Sequence, residues 1–125
     1  MDRIENAIKL KHSGYNCAQA VIMSYKDLLN IDDDTLMKIG SGFAIGMGNM
    51  EATCGALIGA NIVLGLLNNN QPTIKKSKKL ISRFKELSKA TICNVLKGID
   101  TGIVLTPCDD CIKNAIIALD ELLEG

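Results

Sequence analysis

Apolar residues recur at three- and four-residue spacing along nearly the whole chain, and this period constrains the fold more than any other feature. In the first predicted helix, residues 3–11, Ile4 and Ile8 lie on one face. The same spacing predicts further helices over residues 16–29, 33–39, 52–67 and 74–87, a short one over 91–98, and a last one ending at 124. Only residues 103–105 resemble a strand. The sequence therefore predicts an all-α protein, a compact bundle of about six helices forming a single domain over residues 1–125.

Short polar side chains precede most of the predicted helices, where they can accept hydrogen bonds from the first free backbone N–H groups. The predicted caps are Ser13 or Asn16, Asp32, Asn49, Thr73 and Thr106. Residues 68–72, with sequence NNNQP, are predicted to end the apolar helix. The glycine-rich stretch 40–51 does not follow a strand, so we interpret it as an irregular helix connection rather than a dinucleotide-binding loop.

The composition excludes several classes of protein. Hydrophobic residues make up 47% of the 125 residues, enough to build a core, so intrinsic disorder is excluded. The formal net charge is zero, which gives no support for nucleic-acid binding. The longest apolar run, residues 52–67, is too short to cross a membrane comfortably, and no signal-peptide pattern is seen. We therefore expect a soluble, cytoplasmic protein.

The chain has five cysteines, an unusual number for a short cytoplasmic protein. A structural disulfide framework is not expected in a reducing compartment, and an odd number of cysteines cannot pair completely within one chain. Metal or cluster binding, redox chemistry and buried inert thiols remain as interpretations.

Four of the cysteines lie near predicted helix starts: Cys17, Cys54, Cys93 and Cys108. The partial positive charge and free N–H groups of a helix N-terminus favour the thiolate over the thiol. The thiolate is the form that attacks disulfides and binds metals. The pattern therefore predicts a shared function for these residues, although a single such cysteine is more often a small buried apolar residue.

Cys108 and Cys111 form a Cys-x-x-Cys pair at the start of the last predicted helix. Such a pair is typical of a dithiol redox couple or of half a tetrathiolate metal site. The chain has no second pair of this kind, which excludes a zinc ribbon. Ile112 follows the pair where a c-type haem attachment would have histidine.

The segment TCGALIGANIVLGL, residues 53–66, combines one of these cysteines with several glycines. Gly55 and Gly59 make one side of the predicted helix thin, so that a neighbouring backbone can approach closely. We expect close helix packing at Gly59 and Gly65. At Gly55, which follows Cys54, two interpretations are equally compatible with the sequence: close helix packing, and the approach of a second sulfur or a metal to Cys54.

Four segments together resemble the C_GCAxxG_C_C family of redox-active proteins: GYNCAQAV at 14–21, GFAIGMGNMEATCGALIGA at 42–60, TICNVLKG at 91–98 and CDDCIKNAI at 108–116. The resemblance covers nearly the whole chain. It places Cys17, Cys54, Cys93 and Cys108 at the four family positions and leaves Cys111 as an additional thiol. It implies a small helical redox protein. Relatives of the pattern include a cytochrome with haem and an iron–sulfur cluster; since the haem motif is missing here, only the cluster carries over.

Three hypotheses follow. In the first, thiols among Cys17, Cys54, Cys93, Cys108 and Cys111 cycle between dithiol and disulfide or pass electrons to an unidentified redox partner. In the second, the four family cysteines bind zinc or an iron–sulfur cluster. In the third, the protein is a helical interaction module, with a homodimer as one option, and its cysteines only pack. The gaps between the cysteines are longer than in ferredoxins, which favours thiol chemistry over a cluster. Whether the protein is an enzyme stays open.

Overall fold

The structure is a computed structural model that describes residues 2–68 and 73–124. Within these residues there are seven α-helices and no β-strand: α1 (Arg3–His12), α2 (Cys17–Ser24), α3 (Asp33–Gly40), α4 (Gly55–Leu67), α5 (Ile74–Ser88), α6 (Cys93–Lys97) and α7 (Cys108–Glu124). The all-α prediction is confirmed, and each of the seven predicted segments contains one α-helix, which is one more than the bundle of about six.

Several helix starts are fixed by the side chains that the sequence predicted. Asp32 Oδ2 accepts a hydrogen bond from the backbone N–H of Thr35 at the start of α3. At α2, Asn16 Oδ1 accepts from Gln19 N, and Gln19 Oε1 accepts in return from Asn16 N. This reciprocal capping box makes Cys17 the first residue of α2.

Two other predicted caps are wrong, and Thr73 lies at the predicted N-cap position without making a side-chain bond to the helix. Asn49 Oδ1 accepts from Glu51 N in a turn, and α4 begins later, after Cys54. Thr106 donates its hydroxyl to the carbonyl of Ser88 instead of capping α7. Thr73 directly precedes α5, where its hydroxyl accepts a hydrogen bond from Asn68 rather than from the backbone of the helix. In each case the side chain forms a hydrogen bond within a turn or with another part of the fold, and not with the backbone of the helix that follows it.

The predicted end of α2 differs from the structure, whereas the predicted end of α4 is confirmed. The helix α2 stops at Ser24, because the next residues form tighter turns with bonds such as Tyr25 N to Ile22 O. The helix α4 ends at Leu67, with Asn68 at its C-cap. The remainder of the predicted terminator, residues 69–72, lies outside the described residues.

The segment 103–105, which resembled a strand, is an exposed loop between α6 and α7. Gly98 ends α6 in the left-handed conformation, with φ of 70°. A Cβ at Gly98 would lie 2.3 Å from the carbonyl oxygen of Ile103, so the loop folds tightly over this glycine. The loop brings the N–H of Leu105 to the carbonyl of Leu96 and thereby sets where α7 begins.

One hydrophobic core receives buried side chains from all seven helices: Ala7, Ile22, Leu36, Leu57, Phe84, Leu96 and Ile116 are examples. The helix α2 lies at its centre and contacts α1, α3, α4 and α7. Within the described residues, no helix has both the length and the apolar character that a membrane span requires.

The helix α4 is closely approached at two glycines, as the sequence indicated, and its partner at both is α2. A Cβ at Gly59 would lie 2.7 Å from the carbonyl oxygen of Ala18, and one at Gly55 would lie 3.5 Å from Ala18 N and 2.9 Å from the carbonyl oxygen of Phe43, which follows α3. The expectation of close packing at Gly65 is wrong, since a Cβ there would have no neighbour within 4 Å. The thin side of α4 is therefore its N-terminal half, beside Cys54.

Candidate redox site

Four cysteines begin four helices, as the sequence predicted. Cys17, Cys93 and Cys108 are the first residues of α2, α6 and α7, and Cys54 directly precedes α4. Distant parts of the chain thus bring four thiols to helix N-termini, where partial positive charge favours the thiolate.

These four thiols line one cavity of about 230 Å³. The wall of this cavity also includes Lys11, Lys97, Gly46 and Gly55. Cys17 and Cys108 are half-buried, whereas Cys54 and Cys93 are buried. Cys111 is fully buried behind the cavity, on the next turn of α7. The tertiary structure therefore brings together all of the predicted site residues.

The first thiol pair is Cys17 and Cys108, and hydrogen bonding between the two is the largest cause of the pKa shift of each. This bond, helped by Lys97 and opposed by burial, lowers the pKa of Cys108 to about 5. The same bond and burial raise the pKa of Cys17 well above its usual range. At neutral pH the pair therefore consists of a Cys108 thiolate and a Cys17 thiol that donates to it.

Lys97, the last residue of α6, lines the cavity together with Cys108. Its Nζ donates a hydrogen bond to Cys111 Sγ over 4.0 Å. Burial opposes its charge, but the hydrogen bond to Cys108 and the surrounding thiols raise the pKa of Lys97 above its usual value. Lys97 thus stays protonated and stabilises the Cys108 thiolate.

The second thiol pair is Cys54 and Cys111. The hydrogen bond from Cys111 and the backbone N–H groups of Ala56 and Leu57 lower the pKa of Cys54 to about 7, although burial opposes this. The pKa of Cys111 is raised by the same bond and by burial. Cys111 Sγ also donates a hydrogen bond to the carbonyl oxygen of Thr106, 3.6 Å away. The Cys54 sulfur and this carbonyl oxygen therefore compete for the single proton of the Cys111 thiol.

Cys93 differs from the other four cysteines. Burial raises its pKa, and no hydrogen bond from another thiol contributes among the described residues. A Cβ at Gly46 would lie 2.7 Å from Cys93 Cβ, so only glycine fits against this side chain. The glycine-rich connection also has left-handed backbone at Ile45, Met47 and Met50. The predicted irregular connection is confirmed, and it forms one wall of the cavity.

The Cys-x-x-Cys pair does not form one couple in this arrangement. The pKa of Cys108 is shifted mainly by Cys17, and that of Cys111 mainly by Cys54. The helical turn between Cys108 and Cys111 therefore connects two separate pairs of free thiols. Sequence reasoning missed Lys97 and Lys11. Lys97 lies four residues after Cys93 in α6, and this helical spacing was the available signal.

A family model described as "Putative redox-active protein (C_GCAxxG_C_C)" matches residues 15–122. The chain belongs to this family. The matched range contains all five cysteines and nearly all of the cavity wall. No curated protein and no solved structure matched the chain.

A family relative with an iron–sulfur cluster raises the question of whether these thiols fit a metal. Among the described residues, which include all five cysteines, no group of three or more cysteine, histidine, aspartate or glutamate side chains is arranged to hold a metal ion. The thiols instead occur as two hydrogen-bonded pairs with a lysine beside them. This arrangement does not fit a tetrathiolate site, and the chemistry below uses no metal.

Proposed function

We propose that this C_GCAxxG_C_C protein carries out thiol–disulfide exchange, with Cys108 as the nucleophile and Cys17 as the resolving thiol. The observation that carries the proposal is that Cys17, Cys108 and Lys97 line one cavity, where Cys17 and Lys97 both lower the pKa of Cys108. A protonated lysine next to a thiolate at a helix N-terminus is the environment expected of a reactive cysteine. An inert packing role does not explain a lysine that is partly buried against thiols.

In the first step, the Cys108 thiolate attacks one sulfur of a disulfide substrate. A bond forms between Cys108 Sγ and that sulfur, the substrate S–S bond breaks, and the other substrate sulfur leaves as a thiolate. Lys11 and Lys97 line the cavity wall and lower the pKa of Cys108, so they keep the nucleophile charged before the attack.

In the second step, Cys17 resolves the mixed disulfide. Once Cys108 is covalently bound it carries no negative charge, so the main cause of the raised pKa of Cys17 is removed. Cys17 then loses its proton to the departing thiolate or to water and attacks Cys108 Sγ, releasing the second substrate thiolate. The substrate disulfide gains two electrons, and the protein is left with a Cys17–Cys108 disulfide. A dithiol partner reduces this disulfide by the reverse exchange.

A trapping experiment tests the proposal. Reduced protein is treated with hydroxyethyl disulfide, quenched by alkylation and digested with trypsin. The Cys17 peptide, residues 12–26, is then expected to be cross-linked to peptide 98–113, with fragmentation placing the bond on Cys108 rather than Cys111. Cys108→Ser is expected to abolish the cross-link. Cys93→Ser, which leaves both hydrogen-bonded pairs intact, is expected to retain it.

Absence of the Cys17–Cys108 cross-link at full oxidation would overturn the proposal. So would near-stoichiometric iron with sulfide, or stoichiometric zinc, in protein purified anaerobically without a metal-binding tag, because the thiols would then be ligands. If serine substitutions changed only stability, the protein would be the helical interaction module instead.

A further inference from the structure

The thiol exchange proposed above leaves the second pair unused. Cys54 is 3% exposed and Cys111 is fully buried, so a substrate larger than a few atoms does not reach Cys111 directly. Yet the pair has the same composition as the first: a thiolate-favouring cysteine at a helix start and a thiol hydrogen-bonded to it. A buried pair of this kind needs a route by which oxidising equivalents reach it.

Cys17 provides that route. Cys17 and Cys54 line the same cavity, and the charge of Cys54 contributes to the raised pKa of Cys17. Gly55, the residue after Cys54, packs directly against Cys17, since a Cβ built on Gly55 would lie at a contact distance of 3.5 Å from Cys17 Cβ. On the other side, one helical turn of α7 joins Cys108 to Cys111.

We propose that Cys54 and Cys111 form an internal dithiol couple that takes over the disulfide from Cys17 and Cys108, so that each chain can form two disulfides and give up four electrons. The inference rests on the function proposed above. It assigns a redox role to Cys111, which lies outside the four cysteine positions of the family resemblance.

The transfer is an isomerisation of the chain's own disulfide. The Cys54 thiolate attacks Cys17 Sγ, a Cys17–Cys54 bond forms, and Cys108 leaves as a thiolate. Cys111 then gives up its proton and attacks Cys54 Sγ, and Cys17 leaves and takes up a proton. One disulfide and two thiols are present before and after, so no electrons are gained or lost. The first couple is then reduced and free to react with a second substrate disulfide.

The direction of attack follows from the leaving groups. A disulfide breaks most readily on the side that releases the more acidic thiol. Attack on Cys17 Sγ releases Cys108, whose pKa is lowered by Lys97 and Lys11 even when Cys17 is held in a disulfide. Attack on Cys108 Sγ would instead release Cys17, whose pKa is raised by burial. Cys54 therefore lies beside the sulfur whose attack gives the better leaving group.

A time course with one equivalent of hydroxyethyl disulfide per chain tests the relay. Samples are quenched with acid, alkylated, digested with trypsin and mapped. The cross-link of peptide 12–26 to 98–113 through Cys108 is expected first. A cross-link of the Cys54 peptide, residues 39–75, to 98–113 through Cys111 is expected to rise as the first declines. With excess oxidant, four of the five thiols are expected to be lost, leaving Cys93 for alkylation.

Variants separate the steps. Cys111→Ala removes the last acceptor, so exchange is expected to stop at its intermediate and give a cross-link of peptide 12–26 to 39–75. Cys54→Ala is expected to keep the Cys17–Cys108 disulfide and form no other; this variant provides the test if circular dichroism shows that Cys111→Ala does not fold.

A Cys17–Cys108 cross-link that persists in the wild type without any Cys54–Cys111 cross-link overturns the relay while leaving the proposed function intact. A Cys54–Cys111 cross-link that forms as fast in Cys108→Ala as in the wild type also overturns it, because that pair would be oxidised directly. A time course in which the Cys17–Cys108 cross-link never forms counts against the proposed function.

Discussion

At the residue scale, Cys108 shows how several modest effects combine on one sulfur. It begins α7, accepts a hydrogen bond from Cys17 and has Lys97 beside it. Each effect stabilises the charged form, and together they outweigh the opposing effect of burial. Because the folded-state pKa of Cys108 is about 5, its thiolate is present across the physiological range and is protonated only as the pH falls below that value.

This gives a pH profile for alkylation. The rate at Cys108, followed by iodoacetamide labelling and mapping of peptide 98–113, is expected to reach half its maximum near pH 5. An ordinary thiol would reach it near pH 8.5. A half-maximum above about pH 8 would contradict the arrangement of charges around Cys108.

The hydrogen bond from Cys17 is the largest cause of this lowered pKa, so Cys17 variants test it. Cys17→Ala removes the donor and is expected to raise the pKa of Cys108 by roughly 1 to 3. Cys17→Ser keeps a hydroxyl donor and is expected to raise it less. Equal values in the two variants would show that Cys17 does not act through its hydrogen bond.

Lys97 acts on Cys108 through charge and a hydrogen bond. Lys97→Met is expected to raise the pKa of Cys108, but less than Cys17→Ala does, because the hydrogen bond from Cys17 is the larger cause. The control is Lys113→Met, which replaces an exposed lysine elsewhere on α7. The labelling profile of Cys108 measures both, and the same shift in the control would contradict a specific role for Lys97.

At the element scale, the contact between α2 and α4 positions the thiols. The two helices approach at Gly55 and Gly59, and this closeness places Cys17 beside Cys54. The sequence indicated the close approach but not the partner, because a glycine pattern shows which side of a helix is thin and not what fills the space.

Two glycines of α4 form a matched pair for testing this contact. Gly59→Ala would place a Cβ 2.7 Å from the carbonyl oxygen of Ala18, and is expected to lower the free energy of unfolding by roughly 1–3 kcal/mol. Gly65→Ala has open space and is expected to raise it by about 0.5–1 kcal/mol through helix propensity. Urea unfolding of the reduced proteins measures both. A stable Gly59→Ala would mean that α2 and α4 are farther apart than described.

At the scale of the whole molecule, oxidation of the first pair would join the start of α2 to the start of α7. A Cys17–Cys108 disulfide closes a loop of about 90 residues. In the chain-entropy account, a loop of this length stabilises the folded state by roughly 4–5 kcal/mol, and typical measured values are about 2–4. Loss of the thiolate–thiol hydrogen bond, about 1.5–3 kcal/mol for a charged partner, offsets part of this.

The oxidised protein is therefore expected to unfold at a higher urea concentration than the reduced protein. Cys17→Ser, which cannot form this disulfide, is expected to show a smaller change on the same oxidation. Parallel urea titrations with and without reductant give the comparison. A lower midpoint for the oxidised wild type would show that the folded state resists closure of the pair.

The helical class, most helix positions and the location of four cysteines at helix starts could be predicted from the sequence, because they depend on local spacing and on capping groups such as Asn16 and Asp32. The glycine pattern also indicated the thin side of α4 at Gly55 and Gly59. Which thiols pair could not be predicted in this way. Cys108 and Cys111 are three residues apart, yet each is bonded to a cysteine from a different helix. Pairing depends on how α2, α4 and α7 pack in three dimensions, and the approach of Lys97 depends on the loop that follows α6. Neither leaves a periodic signal in the chain.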